Sequence, residues 1–97
     1  MTNSTLHVRI ISPQQLILET QALSVSSRNS QGNFDILPKH ANFITLIENS
    51  AIEIKVDKQK RLTFAFPLAI ILTRENKVNI YTYAQYPVIN TRKSKLE

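Results

Sequence analysis

Ile52-Glu53-Ile54-Lys55-Val56 alternates apolar and charged residues without a break. A chain whose successive side chains point to opposite faces does this when one face is buried, so the stretch is a half-buried strand. The same period of two recurs on both sides of it. Leu62, Phe64 and Phe66 are separated by Thr63 and Ala65; Leu6, Val8 and Ile10 by His7 and Arg9; Val78 and Ile80 sit among Lys77, Asn79 and Tyr81. β-Branched and aromatic residues dominate these stretches, as suits a pleated, half-buried surface. Helical spacing is missing almost throughout.

Turn signals separate the runs: Ser12-Pro13, Asn29-Ser30-Gln31-Gly32, Glu48-Asn49-Ser50, Asp57-Lys58-Gln59 and Arg74-Glu75-Asn76. Their short, regular spacing predicts an all-β fold, an antiparallel β-sandwich (or barrel) of about eight to ten strands. Connections this short join antiparallel neighbours, because a parallel pair needs a long crossover. Gly32 is the only glycine. Asparagine tolerates the left-handed region best after glycine, so Asn29, Asn33, Asn49 and Asn76 are the expected substitutes at tight turns.

The chain of 97 residues is one domain with a modest core. Residues 1–84 read as the β domain. Residues 85–97 change character: Pro87 limits strand continuation, and Asn90-Thr91-Arg92-Lys93-Ser94-Lys95 is polar and basic. No cysteine is present, so packing rather than disulfides or thiolate–zinc bonds must supply stability. That usage fits a cytoplasmic protein. Met1-Thr2-Asn3-Ser4-Thr5 shows no signal-peptide pattern, and the longest apolar run, Leu68 to Leu72, is far short of the roughly 20 residues of a membrane helix.

The net charge of +5 raises nucleic acid as a partner. Most of the excess sits in Lys55, Lys58, Lys60 and Arg61 and in Arg92, Lys93 and Lys95. Neither group is interleaved with aromatics as a base-stacking platform requires. A small basic β-barrel binding nucleic acid is therefore the alternative reading, and no nucleic-acid partner is expected from the leading one.

Catalytic chemistry finds no foothold. His7 and His40 are far apart, the seven acidic residues form no local pair, and no metal-ligand spacing occurs. One glycine can build neither a nucleophile elbow nor a phosphate loop. No catalytic residue, no metal, no cofactor and no small-molecule substrate is expected, and the protein is not expected to be an enzyme.

Gly32-Asn33-Phe34-Asp35-Ile36-Leu37-Pro38-Lys39-His40-Ala41 resembles the Gly-Glu-x-Gly-Ile-Leu-Pro-Asn-His-Ala signature of the epsilon subunit of F-type ATP synthases. Leu6-His7-Val8-Arg9-Ile10-Ile11-Ser12-Pro13 resembles that family's opening strand. Ala22 to Ser27, Ala51 to Ile54 and Lys77 to Tyr81 resemble three further strands in the same order. The likeness runs over residues 5 to 84.

The resemblance implies a ten-stranded β-sandwich that packs on a gamma-like shaft, rests on a ring of membrane rotor subunits, carries torque and does no chemistry. It places the protein in the cytoplasm, peripheral at a membrane through its complex, with the alpha and beta catalytic subunits as indirect partners. The family's C-terminal helical hairpin has no counterpart in these residues, so regulation and nucleotide binding are not carried over. Asn33 and Asp35 stand where the signature has an acidic residue and a second glycine. Asn42 stands where the family often has proline, and Pro67-Leu68-Ala69 replaces Ser-Gly-Gly. The altered signature segment resembles the rotor-facing part of the family, which suggests a divergent motor driving a different load. The expected partner contacts are Asn33, Lys39, His40, Asn42, Tyr81 and Tyr83. An apolar patch on one sheet is the expected mark of a stalk subunit, with Ile70, Leu72 and Tyr86 as further contributors.

Overall fold

The structure, a computed structural model, describes residues 5–83 and the short strand at 88–89. Eight strands follow in chain order: β1 (Leu6–Ile11), β2 (Leu16–Ala22), β3 (Ser24–Asn29), β4 (Gly32–Ile36), β5 (Phe43–Lys55), β6 (Arg61–Arg74), β7 (Lys77–Thr82) and β8 (Val88–Ile89). The hydrogen-bonded path runs β2-β1-β7-β6-β5-β3-β4, with β8 paired to β6. That path holds seven strands, one below the expected range, and β8 makes the eighth. The count is low because β5, 13 residues long, runs through the expected turn at Glu48-Asn49-Ser50, and β6 is 14 residues long. Apart from β8, the 85–97 segment, Tyr86 included, lies outside the described residues.

The expectation of purely antiparallel pairing needs one correction. β1 and β7 are parallel, with Val8 opposite Val78 and Ile10 opposite Ile80. Short connections force antiparallel pairing only between consecutive strands, and nearly the whole domain lies between these two.

Glu48-Asn49-Ser50, expected as a turn, lies inside β5 and is a fold line. Glu48 pairs with Leu68 and Ser50 with Phe66, which sets Asn49 opposite Pro67. Asn49 has φ 51°, the left-handed region asparagine tolerates. Pro67 has no N–H to donate, so a break in the ladder there leaves one fewer donor to satisfy. Both strands change face at this rung. Before it Ile47 of β5 is buried, and after it Ile52 and Ile54 are. In β6 the buried set changes from Phe64 and Phe66 to Ala69, Ile71 and Thr73. A three-residue step replaces the usual two in each strand, and the ribbon passes from one layer to the other. The first layer holds β2, β1, β7 and the adjoining halves of β6 and β5; the second holds the remaining halves with β3, β4 and β8.

One hydrophobic cluster fills the space between the layers. Leu6, Val8, Ile10, Ile71, Val78 and Ile80 come from the first, and Val25, Ile36, Ile52, Ile54, Phe64 and Phe66 from the second. Phe64 and Phe66 lie nearly parallel, ring centroids 6.0 Å apart. Thr73 is the exception in this interior: it is 1% exposed and its hydroxyl has no hydrogen-bond partner. A buried unsatisfied hydroxyl costs about 1–3 kcal/mol. Thr73→Val keeps the shape and removes the hydroxyl, so it should stabilise the domain by about 1 kcal/mol in urea unfolding.

The left-handed positions are Lys39, Asn49, Glu75 and Asn76, with Gly32 at φ 123°. Asn49 and Asn76 are as expected; Asn29 and Asn33 are not among them. Asn29 instead uses its side chain, accepting from the Gln31 N–H and donating to Thr45 Oγ1. Glu75 and Asn76 together, at φ 52° and 65° between the paired residues Arg74 and Lys77, make the two-residue hairpin turn whose twist matches the strands.

Candidate functional site

The outer face of the first layer carries the feature that solvation alone does not explain. Leu46 of β5 pairs with Ile70 of β6, Ile70 with Tyr81 of β7, Tyr81 with Ile11 of β1, and Ile11 with Leu16 of β2. One rung therefore places an apolar or aromatic residue on five adjacent strands, a row about 20 Å across at ordinary strand spacing. Leu46, Ile70, Tyr81 and Leu16 are 36% or more exposed. Ile44 and Leu72, paired on the next rung, and Leu68 and Tyr83 at the other side widen it. Ile44 is 67% exposed and Tyr83 76%. Scattered apolar residues are ordinary on a surface, but a contiguous band marks a contact site. At the Tyr83 side the band dips into a groove of about 300 Å³ lined by Ile11, Pro13, Leu68, Ile70 and Tyr83.

The expected contact residues fall in three places. Tyr81 is in the row itself and Tyr83 at its margin. Lys39, His40 and Asn42 lie in the connection between β4 and β5, beside the β6–β7 turn. Asn33 is at the far end of β4, exposed on the second layer. The signature is thus not one loop: its first half is a strand, and its two ends lie at opposite ends of the sandwich.

The second half of the signature is held by a few specific contacts. Asn76 Oδ1 accepts the Lys39 N–H at 2.6 Å, and Asn76 O accepts the His7 N–H at 2.8 Å. His40 stacks edge-on against Phe43, which in turn meets Phe34 edge-on. Asn76 therefore joins three segments. Asn76→Ala loses both the left-handed tolerance and the acceptor, and should cost about 2 kcal/mol; Asn76→Gly restores the first and should cost about half as much. Denaturant titration of the two variants separates the contributions.

Sequence reasoning found Ile70, Leu72, Tyr81 and Tyr83 but missed Ile11, Leu16, Ile44, Leu46 and Leu68. A signal was present: Leu68-Ala69-Ile70-Ile71-Leu72 has no alternation, and a strand apolar on both faces has a use for both. Among the described residues no three His, Asp or Glu side chains gather into a metal-binding group, and no helix is long and apolar enough to cross a membrane.

The described residues form a small two-layer β-sandwich with an uncovered apolar row on its first layer. The profile of the family described as ATP synthase, Delta/Epsilon chain, beta-sandwich domain matches residues 5–87. The chain belongs to that family. It is 27% identical to the ATP synthase epsilon chain of Nitratiruptor over 92 residues, 95% of this chain and 71% of that one. Against the epsilon chain of Rickettsia africae identity is 26% over 96 residues, 97% of this chain and 86% of the relative. A chain of the Euglena gracilis mitochondrial ATP synthase superimposes with a TM-score of 0.81 at 13% identity, over 92% of this chain and 56% of that one. One from the central stalk and c-ring of the Tetrahymena thermophila enzyme gives 0.69 at 10% identity, over 100% of this chain and 77% of that one. At such identities these two likenesses concern the fold.

Proposed function

We propose that the protein is a non-catalytic, epsilon-like central-stalk subunit of an F-type rotary ATPase, binding a gamma-like shaft and coupling its rotation to a rotor ring or another load. The observation that carries this reading is the apolar row from Leu46 to Leu16, in a chain whose relatives are epsilon chains of ATP synthases. A rigid sandwich needs area, not a perturbed side chain, to transmit torque. The row offers that area to the shaft, with Tyr81 and Tyr83 as anchors whose rings pack while their hydroxyls stay wet. Lys39, His40 and Asn42 border the same face near Ile44, and Asn33 is offered to the load from the opposite end. On this reading the protein is cytoplasmic and peripheral at a membrane through its complex.

Affinity purification of the tagged chain from its own cells, followed by mass spectrometry, tests the proposal. Gamma-, alpha- and beta-like ATPase subunits should come with it, and rotor-ring subunits identify the load. Recovery of unrelated proteins alone overturns the reading.

A further inference from the structure

The two ends of the sandwich differ sharply in charge. The β6–β7 turn binds the Lys39 loop and the start of β1 through Asn76. Leu6 pairs with Ala22, and the next residue, Leu23, donates its N–H to Lys55 O at 2.7 Å. These links gather the β6–β7 turn, the β4–β5 connection and the β5–β6 turn at one end, called here the Asn76 end. Lys39 is there, with Arg74 and Lys77 on the first turn. Lys55, Lys58, Lys60 and Arg61 surround the second. Of the basic residues between positions 5 and 83 only Arg9 and Arg28 lie elsewhere.

The arrangement works against local stability. Arg74 is directly opposite Lys77, and Lys55 directly opposite Arg61, so both hairpins close on a pair of like charges. Such pairs are destabilising across a sheet. Three carboxylates lie nearby and give partial relief: Glu53 is engaged with Arg61 at 3.3 Å, one Asp57 oxygen is taken up by the Gln59 and Lys60 amides, and Glu75 is exposed in the β6–β7 turn beside Arg74.

We infer that the Asn76 end is an electrostatic docking surface for an acidic patch on the shaft partner, reached by the same protein that covers the apolar row. This rests on the gamma-like partner proposed above. The apolar band and the basic end are continuous: Asn42, Ile44, Leu72 and Arg74 line one shallow hollow. A protein surface whose apolar stripe runs out into Asp and Glu residues complements both parts at once. A nucleic acid would meet interspersed carboxylates and, among the described residues at this end, no exposed Phe, Tyr or Trp on which to stack a base. Charges placed at the rim of an apolar contact act chiefly on the rate of encounter.

The test is the association kinetics of the gamma-like subunit of the same organism with wild type and with Lys58→Gln/Lys60→Gln/Lys77→Gln. All three lysines are exposed. At about 50 mM salt the association rate should fall about tenfold in the variant, with the dissociation rate changed less than about twofold. The gap should close near about 0.5 M salt, where screening is short-ranged. Thermal stability should hold or rise, because a cation opposite Arg74 is removed; a merely structural role would lower it. Equal association rates at low salt overturn the inference while leaving the stalk reading intact. Salt-sensitive binding of a 20-base-pair DNA duplex by wild type, lost in the variant without any change in association with the gamma-like subunit, overturns it in favour of nucleic acid. No binding of the gamma-like subunit by wild type at any salt overturns the stalk reading itself.

Discussion

Ile70→Glu should leave the domain folded and reduce its affinity for a gamma-like subunit by more than about a hundredfold. Ile70 is at the middle of the apolar row, paired with Leu46 on one side and Tyr81 on the other, and is 41% exposed. In the free protein a glutamate there reaches water, so the cost in stability is about 1 kcal/mol of lost strand preference and contact. In the proposed complex the same carboxylate would be enclosed beside Leu46, Leu72 and Tyr81, none of which offers it a cation. Burying an unpaired charge costs several kcal/mol, and the centre of an interface is where truncations and mismatches are felt most. Isothermal titration of the purified pair, with circular dichroism of each free variant, measures both quantities. Arg28→Glu, on the outer face of the other layer, is the control and should bind as wild type does.

The largest effect on stability is expected at Phe66. Its side chain is 2% exposed, rests against Phe64, and lies one residue from the rung where β6 changes layers. Phe66→Ala removes a large ring at the point where the two layers turn into each other. A vacated aromatic site in a core costs about 3–5 kcal/mol, and a domain of this size has about 5–15 kcal/mol in all. The variant should unfold at a much lower urea concentration with an unchanged slope, and a large part of it should be unfolded at 37 °C. Phe66→Leu, which keeps most of the apolar volume, should recover more than half of the loss. Equal stability of Phe66→Ala and wild type would mean that the two layers do not share one core at this point.

How far the sequence could be read follows from which rules are local. Strand period is local: Leu6, Val8, Ile10, Ile52, Ile54, Phe64, Phe66, Val78 and Ile80 are buried as the alternation predicts, while Val56 and Leu62, beside the β5–β6 turn, are only partly buried against the core. Turn chemistry is local as well, and Glu75-Asn76 and Asp57-Lys58-Gln59 fall between strands as expected. Asn49 misled because the same asparagine suits a turn and a fold line. Only the partner opposite it, Pro67, tells them apart, and pairing is a tertiary fact. The parallel β1–β7 pair was illegible for the same reason.

The candidate site was half legible. Ile70, Leu72, Tyr81 and Tyr83 could be suspected from an apolar run and a cluster of tyrosines. Leu46, Ile11 and Leu16 join them only through register, since each is an unremarkable strand residue until its neighbours across the sheet are known. The concentration of cations at one end was hidden in a similar way. Lys39, Lys58 and Lys77 are 38 positions apart at the extremes of the sequence, and the fold-over at Asn49 and Pro67 brings the β5–β6 turn back toward the other two.

Site-specific photo-crosslinking in cells tests directly whether the outer face of the first layer meets the shaft. A benzophenone amino acid would be placed at Leu46 in one strain and at Ser26, on the outer face of the second layer, in another. Position 46 should crosslink to a gamma-like subunit and position 26 should not. A gamma-like crosslink from position 26 with none from position 46 would contradict contact between this face and the shaft.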